Sequence, residues 1–233
     1  MLQVNGENAM CGRFGEEEEY VALAHRYRAV MRVVDPGPRF NVAPTQPVAV
    51  IVEHEGERSL THHRWGLVPF FAKDLKIGAR MINARAETLM TQAAFKDSFV
   101  GRRCIVPATR FYEWRTIGKT KIPFSILRND HAPMHFAGLW ASWRDRASGE
   151  RVLSCSIVTT EPNELMRQLH DRMPVILDDE AVAQWLDPSF QDIEALQRLL
   201  VPYPDNDDLF MYRVSPLVNN ANNEGPELVE PSN

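Results

Sequence analysis

The residue with the most distinctive chemistry in this sequence is Cys11, in the segment Met10-Cys11-Gly12-Arg13-Phe14. If processing exposes Cys11 as the first residue, its backbone amine and its thiol form one bifunctional nucleophile. The amine can condense with an aldehyde to an imine, and the thiol can then close a thiazolidine ring. The amine titrates at about pH 8 and the thiol at about 8.5, so both are partly reactive near neutral pH. The competing interpretation is a buried, inert cysteine.

Glu113 and His170 have residue types suited to proton transfer. Glu113 lies in Phe111-Tyr112-Glu113-Trp114, where strand alternation predicts that Phe111 and Glu113 share an inward face. Burial there would raise the pKa of the carboxyl and make it a general acid or base, whereas an edge-strand glutamate would face water. His170 follows a predicted helix and can shuttle protons, or it can simply cap the helix C-terminus.

Several further residues suit contacts with an anionic ligand. Asn83 and Arg85 stand two apart on a predicted strand and share one face, which suits a phosphodiester or a sugar, although a solvated pair is the alternative. Arg13 brings a guanidinium close to Cys11. Aromatic and Pro-containing loops near the basic stretch suit unstacked bases, or they form a corner of the core; these loops are Asn41-Val42-Ala43-Pro44 and Trp65-Gly66-Leu67-Val68-Pro69-Phe70-Phe71.

The charge of the chain is strongly uneven. The net charge is -5, but residues 58–121 carry thirteen Lys/Arg against four Asp/Glu, a balance of +9, and the rest of the chain carries -14. This distribution predicts an anion-binding face, unless the charges only decorate opposite sides of ordinary strands.

The elements that must position these residues belong to an α+β domain, mostly antiparallel. The sequence predicts a helix over residues 15–34, followed by short strands with turns at 55–57, 117–119, 129–130 and 148–150. The predicted strands are Pro47–Glu53, Arg58–Trp65, Arg103–Val106, Phe111–Arg115, Ile122–Leu127, Met134–Trp143 and Val152–Thr160. The later predicted helices are Thr88–Phe99, Pro162–His170, Asp178–Leu186 and Ser189–Leu200.

Length and composition narrow the function classes. The 233 residues suit one domain with a sizeable core, with Met1–Ala9 and 224–233 predicted as loose ends. No segment resembles a secretory signal or a membrane span. Cys11, Cys104 and Cys155 fit neither a disulfide framework nor a zinc motif, so a reducing cytosol is expected and no metal or cofactor is predicted.

Taken in order, the motifs resemble those of SRAP-domain proteins, also called SOS-response-associated peptidases. The resemblance runs from Met10 to about Asn220 and rests on the Cys11, Asn41–Pro44, Trp65–Pro69 and Phe111–Trp114 motifs, together with Ile82-Asn83-Ala84-Arg85-Ala86-Glu87 and Leu169-His170-Asp171-Arg172-Met173-Pro174. It implies one α+β domain over 10–223, a β-barrel-like core and a basic groove for single-stranded DNA.

The resemblance also implies roles for individual residues. An exposed Cys11 would form a thiazolidine crosslink with an abasic site in DNA, which shields the lesion during the DNA damage response. Asn83, Glu113 and His170 match the other active-site residues of the family. The residues matching DNA contacts are Arg13, Asn41, Pro44, Trp65, Arg85 and Thr159. A cytoplasmic monomer, associated with the nucleoid on damaged DNA, with autopeptidase and lyase activity, is the implied context.

Two rival functions remain open at this point, and one departure from the family pattern matters. A thiol peptidase would use Cys11 as nucleophile and His170 as base, and a plain single-stranded DNA-binding module would tolerate loss of Cys11. In the family the cysteine directly follows the initiator methionine, whereas nine residues precede Met10 here. Translation from Met10, self-cleavage, or absence of the activity would each account for this, and we favour a start at Met10.

Overall fold

Within the described part of the chain, fourteen strands build the two β-sheets that form the frame of the molecule. The computed structural model describes residues 11–204 and 208–232. The strands are β1 (Phe14–Glu16), β2 (Val30–Met31), β3 (Arg39–Val42), β4 (Pro47–His54), β5 (Glu57–Trp65), β6 (Asn83–Arg85), β7 (Arg103–Ala108), β8 (Arg110–Ile117), β9 (Thr120–Arg128), β10 (Met134–Arg144), β11 (Arg151–Thr160), β12 (Met173–Pro174), β13 (Ile176–Leu177) and β14 (Leu209–Arg213).

Five of these strands close into a ring, which confirms the predicted barrel-like core. β11, β10, β7, β4 and β5 pair in that order and antiparallel, and β5 then pairs with β11 in parallel through Arg64 with Ser154 and Trp65 with Cys155. The second sheet has the order β14-β9-β8-β1-β3. Closure removes two exposed strand edges, which would otherwise need covering.

Alternation along the strands gives the ring two apolar faces. In β4, Val48 and Val50 belong to a cluster with Cys11 and Phe111, whereas Ala49 and Ile51 belong to a cluster under the helices. We call these the sheet-side cluster and the helix-side cluster. The helices are α1 (Tyr20–Tyr27), α2 (Lys96–Gly101), α3 (Glu164–Arg167), α4 (Asp179–Leu186) and α5 (Ile193–Arg198). No helix in the described ranges is long and apolar enough to cross a membrane.

The strand predictions match the structure closely, and several helix predictions were wrong in extent. The helix predicted over 15–34 is only α1, because Arg28 takes a left-handed conformation with φ 52° and the chain then continues into β2. Only Lys96–Gly101 forms a helix where Thr88–Phe99 was predicted. α4 begins as predicted, with the Asp178 carboxylate accepting a hydrogen bond from the Ala181 N–H.

One connection and the C-terminal segment also differ from the sequence-based prediction. Residues 129–130 do not form a hairpin, because β9 and β10 belong to different sheets. The end of the chain is packed: Leu228 is fully buried, the Tyr212 hydroxyl donates to the Val229 carbonyl at 2.7 Å, and the Ser232 N–H donates to the Arg213 carbonyl. Residues 224–232 are therefore part of the folded domain.

Candidate active site

The structure brings Cys11 and Glu113 together across 102 positions of sequence. β1 pairs antiparallel with β8 through Phe14 with Phe111, and the Tyr112 N–H donates to the Arg13 carbonyl at 3.0 Å. Continuing this register by two residues sets Gly12 opposite Glu113, and Cys11 directly precedes Gly12 in the chain. The Cys11 backbone N–H donates to Glu113 Oε1 at 2.7 Å, and Cys11 has a positive φ of 44°.

Glu113 is buried, as strand alternation predicts, and its environment favours the protonated form. Only 3% of the residue is exposed, and loss of water raises its pKa to about 8. The Cys11 and Trp114 N–H groups oppose this shift, while the negative charge of Asp171 adds to it. Within 11–204 and 208–232, no Lys or Arg side chain forms an ion pair with Glu113. The carboxyl can therefore donate a proton near neutral pH.

The Cys11 thiol also stays protonated. The side chain is fully buried, and burial followed by the nearby Glu113 charge raises its pKa well above the usual value. A thiolate-based nucleophile needs the opposite environment, with positive charge that lowers the thiol pKa. The arrangement instead suits chemistry in which the Cys11 nitrogen reacts first and a neutral thiol follows.

Asn83 and Arg85 share one side of β6, as predicted. β6 pairs in parallel with β11, Asn83 with Ile157 and Arg85 with Thr159, and Ala84 between them is fully buried. Asn83 is half-buried and Arg85 is exposed. The strand thus carries an amide towards the interior and a cation at the surface.

His170 lies in the turn after α3, and its ring favours the neutral form. Burial lowers its pKa, although Asp171, whose carboxylate lies 2.8 Å from Nδ1, partly opposes this. The Arg172 N–H lies 3.2 Å from the same Nδ1, so this nitrogen sits between a carboxylate and a backbone amide. Because Asp171 also acts electrostatically on Glu113, the His170 turn and the Glu113 carboxyl belong to one electrostatic neighbourhood.

Arg172 holds this turn, and sequence reasoning missed it. Its guanidinium makes a bidentate pair with Glu87, at 2.5 and 2.9 Å, and donates to the Thr159 carbonyl at 2.7 Å. The only signal for it was its place in the same motif as His170. Arg172 ties the turn to β11 and to the residues after β6.

Some residues predicted to contact DNA are placed differently. Trp65 is fully buried, packs on Phe14 with ring centroids 5.0 Å apart and donates to the Ile82 carbonyl at 2.9 Å, so its ring is not open to a base. Thr159 is 2% exposed and Asn41 is 1% exposed, which makes both of them interior residues. Pro44 is half-buried.

Asn41 positions Arg13 instead of facing a ligand. Its side-chain oxygen accepts from Arg13 Nη1 at 2.8 Å, and its amide donates to the carbonyls of Asn220 and Asn223. Arg13 also donates to the Val218 carbonyl at 2.7 Å. The pair therefore fixes the segment after Cys11 against the C-terminal part of the domain.

The basic segment divides into structural and exposed cations. Arg103 is buried and donates to carbonyls of residues 99, 100, 185, 187 and 190, while Arg58 pairs with Glu53 and Arg110 pairs with Glu17. Phe70 and Phe71 are 66% and 47% exposed, and Lys73, Lys76 and Arg80 follow them at the surface. Exposed rings beside exposed cations are the surface that single-stranded nucleic acid requires.

Comparison with known proteins matches this chain to one family. The model for SOS response associated peptidase (SRAP) matches residues 10–221. The chain is similar to Abasic site processing protein YoqW of Bacillus subtilis (45% identity, 95% of this chain and 99% of the relative) and to Abasic site processing protein YedK of Escherichia coli (31% identity, 95% and 100%). A crystal structure of a Bacteroides thetaiotaomicron protein superposes with a TM-score of 0.85 at 28% identity, covering 95% of this chain and 100% of that one.

Proposed function

The chain belongs to the SOS response associated peptidase (SRAP) family, and from that premise we propose that it processes abasic sites in DNA through Cys11. The relatives that match it along nearly their whole length carry that activity in their names. The observation that carries the proposal is the 2.7 Å contact between the Cys11 nitrogen and the buried Glu113 carboxyl, whose pKa burial raises to about 8.

The proposed reaction requires a free amine at Cys11. An amide nitrogen cannot form an imine, so we propose that the active form begins at Cys11, after removal of Met10 and of anything before it. Residues 1–9 then form no part of the working domain, which agrees with a family match that begins at residue 10.

Glu113 would serve the reaction as acid and then as base. Its proton goes to the ring oxygen of the abasic sugar while the carboxylate takes the proton of the C1′ hydroxyl, so the sugar opens to the aldehyde and the acid is restored. The Cys11 amine attacks C1′, and one of its protons passes to the carbonyl oxygen to give the carbinolamine. Glu113 then protonates that hydroxyl, which leaves as water, and the carboxylate takes the second proton from nitrogen to give the imine. The thiol then adds across the C=N bond: sulfur bonds to C1′, the thiol proton goes to nitrogen, and the thiazolidine is complete.

Asn83 and His170 would position and complete this chemistry. Asn83 would orient the sugar and the Cys11 backbone by hydrogen bonds, which holds the reacting atoms in line. His170, whose lowered pKa keeps the ring neutral, would relay protons at the sugar and assist reversal of the crosslink.

The DNA is proposed to be single-stranded. Its bases would stack on the exposed Phe70 and Phe71 rings. Its phosphates would contact Arg85 and the exposed side chains of Lys73 and Lys76. Arg13, held by Asn41, would contact the phosphate next to the lesion.

A denaturing gel tests the proposal directly. Protein whose N-terminus is verified by mass spectrometry as Cys11 is incubated with a single-stranded oligonucleotide containing one abasic site. We expect a heat-stable shifted band that Cys11→Ala abolishes, that Cys104→Ala retains and that an unmodified oligonucleotide does not give. Absence of the band with verified protein would refute the crosslink, and a band unaffected by Cys11→Ala would refute the role of Cys11.

The same contact favours self-cleavage as a second activity. Hydrolysis of the Met10–Cys11 bond would release the nitrogen that Glu113 faces, and a protonated carboxyl can supply the proton that the leaving amine needs. Full-length protein should then mature to a Cys11 terminus, and Glu113→Gln should leave it uncleaved. Mass spectrometry measures the N-terminus of both proteins over time. Equal maturation of wild type and Glu113→Gln would exclude a role of Glu113 in self-cleavage.

A further inference from the structure

A polar cavity lies away from Cys11, on the helix side of the ring. It encloses about 510 Å³ between the end of α1, the start of β5, the first residues of β10 and the first turns of α4. Its apolar lining includes Tyr27 and Val182, which belong to the helix-side cluster, and no residue lining it belongs to the cluster that contains Cys11.

Three arginines from two separate segments line this cavity. Arg26 and Arg28 come from the end of α1 and are exposed, and within the described parts of the chain neither has a carboxylate at ion-pair distance. Arg58 comes from β5 and is held by Glu53 at 2.8 Å and by the Tyr27 carbonyl at 3.4 Å. Among the described residues, two guanidinium groups without an ion-pair partner therefore line the cavity together with a third that Glu53 fixes, and Asp179 supplies one negative charge at the same cavity.

A hydrogen-bonded chain that is buried at Tyr27 and His135 and exposed at Asp179 fixes the wall that carries these arginines. The Tyr27 hydroxyl lies 2.5 Å from His135 Nδ1, and His135 Nε2 lies 3.0 Å from Asp179 Oδ1. Burial raises the pKa of Tyr27 and lowers that of His135, so the phenol donates to Nδ1 and the neutral ring donates from Nε2 to Asp179. This chain joins α1 to β10 and α4, and it occupies the one carboxylate that lines the cavity.

We propose that this cavity is a binding site for a phosphate-bearing ligand. A planar guanidinium group can donate two hydrogen bonds to a pair of phosphate oxygens. Three such groups line this one cavity, whereas an isolated surface arginine would offer only one. Glu53 is paired with Arg58, and the exposed Asp179 carboxylate accepts from His135 and keeps its negative charge, so the three arginines still outnumber the carboxylates beside them. The lining offers no exposed aromatic ring, since Tyr27 is 2% exposed, so the ligand is recognised by its phosphate groups and not by a base.

The site requires neither Cys11 nor an abasic lesion, so it can be tested without either. Isothermal titration calorimetry with inorganic pyrophosphate at low ionic strength is the first measurement. We expect one site per chain and a Kd that weakens at least about tenfold in Arg26→Gln/Arg28→Gln. The matched control is Arg144→Gln/Arg146→Gln, which removes the same charge from exposed positions elsewhere and should bind like wild type.

Two further experiments identify the source of the phosphate and test whether this site is separate from Cys11. An unmodified single-stranded oligonucleotide that displaces pyrophosphate from wild type would identify a DNA phosphodiester, and failure to displace it would identify a free phosphorylated small molecule. Crosslinking to an abasic oligonucleotide should be unchanged in the double variant, which separates this site from Cys11. Absence of pyrophosphate binding by wild type, or equal weakening in both double variants, would overturn the proposal.

Discussion

Two buried glutamates, Glu16 and Glu113, lie in neighbouring strands of the five-stranded sheet. They differ in their hydrogen-bond and ion-pair partners, and this difference separates a structural carboxyl from one suited to proton transfer. Glu16 in β1 accepts from Arg39 at 3.0 Å and from the Ala49 N–H at 2.7 Å. Glu113 in β8 has the Cys11 N–H at 2.7 Å and no cation paired with it in the described residues. Burial raises the pKa of both, to about 7 for Glu16 and about 8 for Glu113.

The difference lies in what each carboxyl is free to do. Glu16 is tied to three strands, so moving its proton would disturb the sheet, and its role is to join β1, β3 and β4. Glu113 has the proposed nucleophile Cys11 as its partner and a pKa raised to about 8, which are the properties expected of a general acid and base. A buried carboxyl is therefore better judged by its partners than by its burial.

The sharpest way to break this comparison is to neutralise each glutamate in turn. We expect Glu113→Gln to slow crosslink formation about a thousandfold, because the amide can neither give nor take the proton. Glu16→Gln in folded protein should change the rate by no more than about twofold, since it does not touch the reacting atoms. Single-turnover rates on an abasic oligonucleotide measure both, and a fast Glu113→Gln protein would remove the distinction.

The pH dependence of stability should carry the signature of Glu113. Its folded pKa of about 8 lies above the ordinary value of 4.5, so the folded state holds a proton that the unfolded state has lost. Stability from this group is full below about pH 4.5 and is lost as pH rises through 8, by about 5 kcal/mol in all. Urea unfolding from pH 5 to 8 should therefore show a shallower decline in Glu113→Gln; identical slopes would contradict the raised pKa.

Removing Arg39, the ion-pair partner of Glu16, should leave Glu16 as a buried carboxyl without a cation, as Glu113 is, and should lower the free energy of unfolding. We expect Arg39→Met to lower the free energy of unfolding by about 3 kcal/mol at pH 8, because a buried carboxylate loses its ion pair. The loss should shrink at pH 5, where Glu16 takes up a proton. Urea unfolding at both pH values tests this, and an equal loss at both would show that the ion pair is not the cause.

The smallest expected effect is on the affinity for single-stranded DNA. It distinguishes Asn41, which positions Arg13, from Arg13 itself, whose charge would contact the DNA. In a Cys11→Ala background, Asn41→Ala should weaken binding to single-stranded DNA about threefold, because Arg13 loses its fixed orientation. The salt dependence should stay as it is, since no charge is removed. Arg13→Gln should weaken binding and reduce the salt slope by about one ion. Fluorescence anisotropy at several salt concentrations distinguishes the two.

The strands and the orientation of Glu113 followed from the sequence because they depend on local alternation. The end of α1 did not, because Arg28 carries no residue-type signal for its left-handed conformation, and Val30 and Met31 continue the helical spacing. The interior placement of Trp65 and Asn41 depends on contacts with distant segments, which no local pattern records. The nearness of Cys11 to Glu113 had the same origin, and only the family resemblance indicated it beforehand.

The separation of Cys11 from its carboxyl partner has a consequence in time. The ribosome makes the cysteine first and Glu113 102 positions later, and at bacterial to eukaryotic elongation rates that interval is roughly 5 to 20 s. Closure of the ring waits longer still, because β5 can pair with β11 only after residue 155 has been made. Under the proposed mechanism, a nascent chain would therefore carry Cys11 without its acid, and it would become reactive only when Cys11 has been exposed and the domain has assembled.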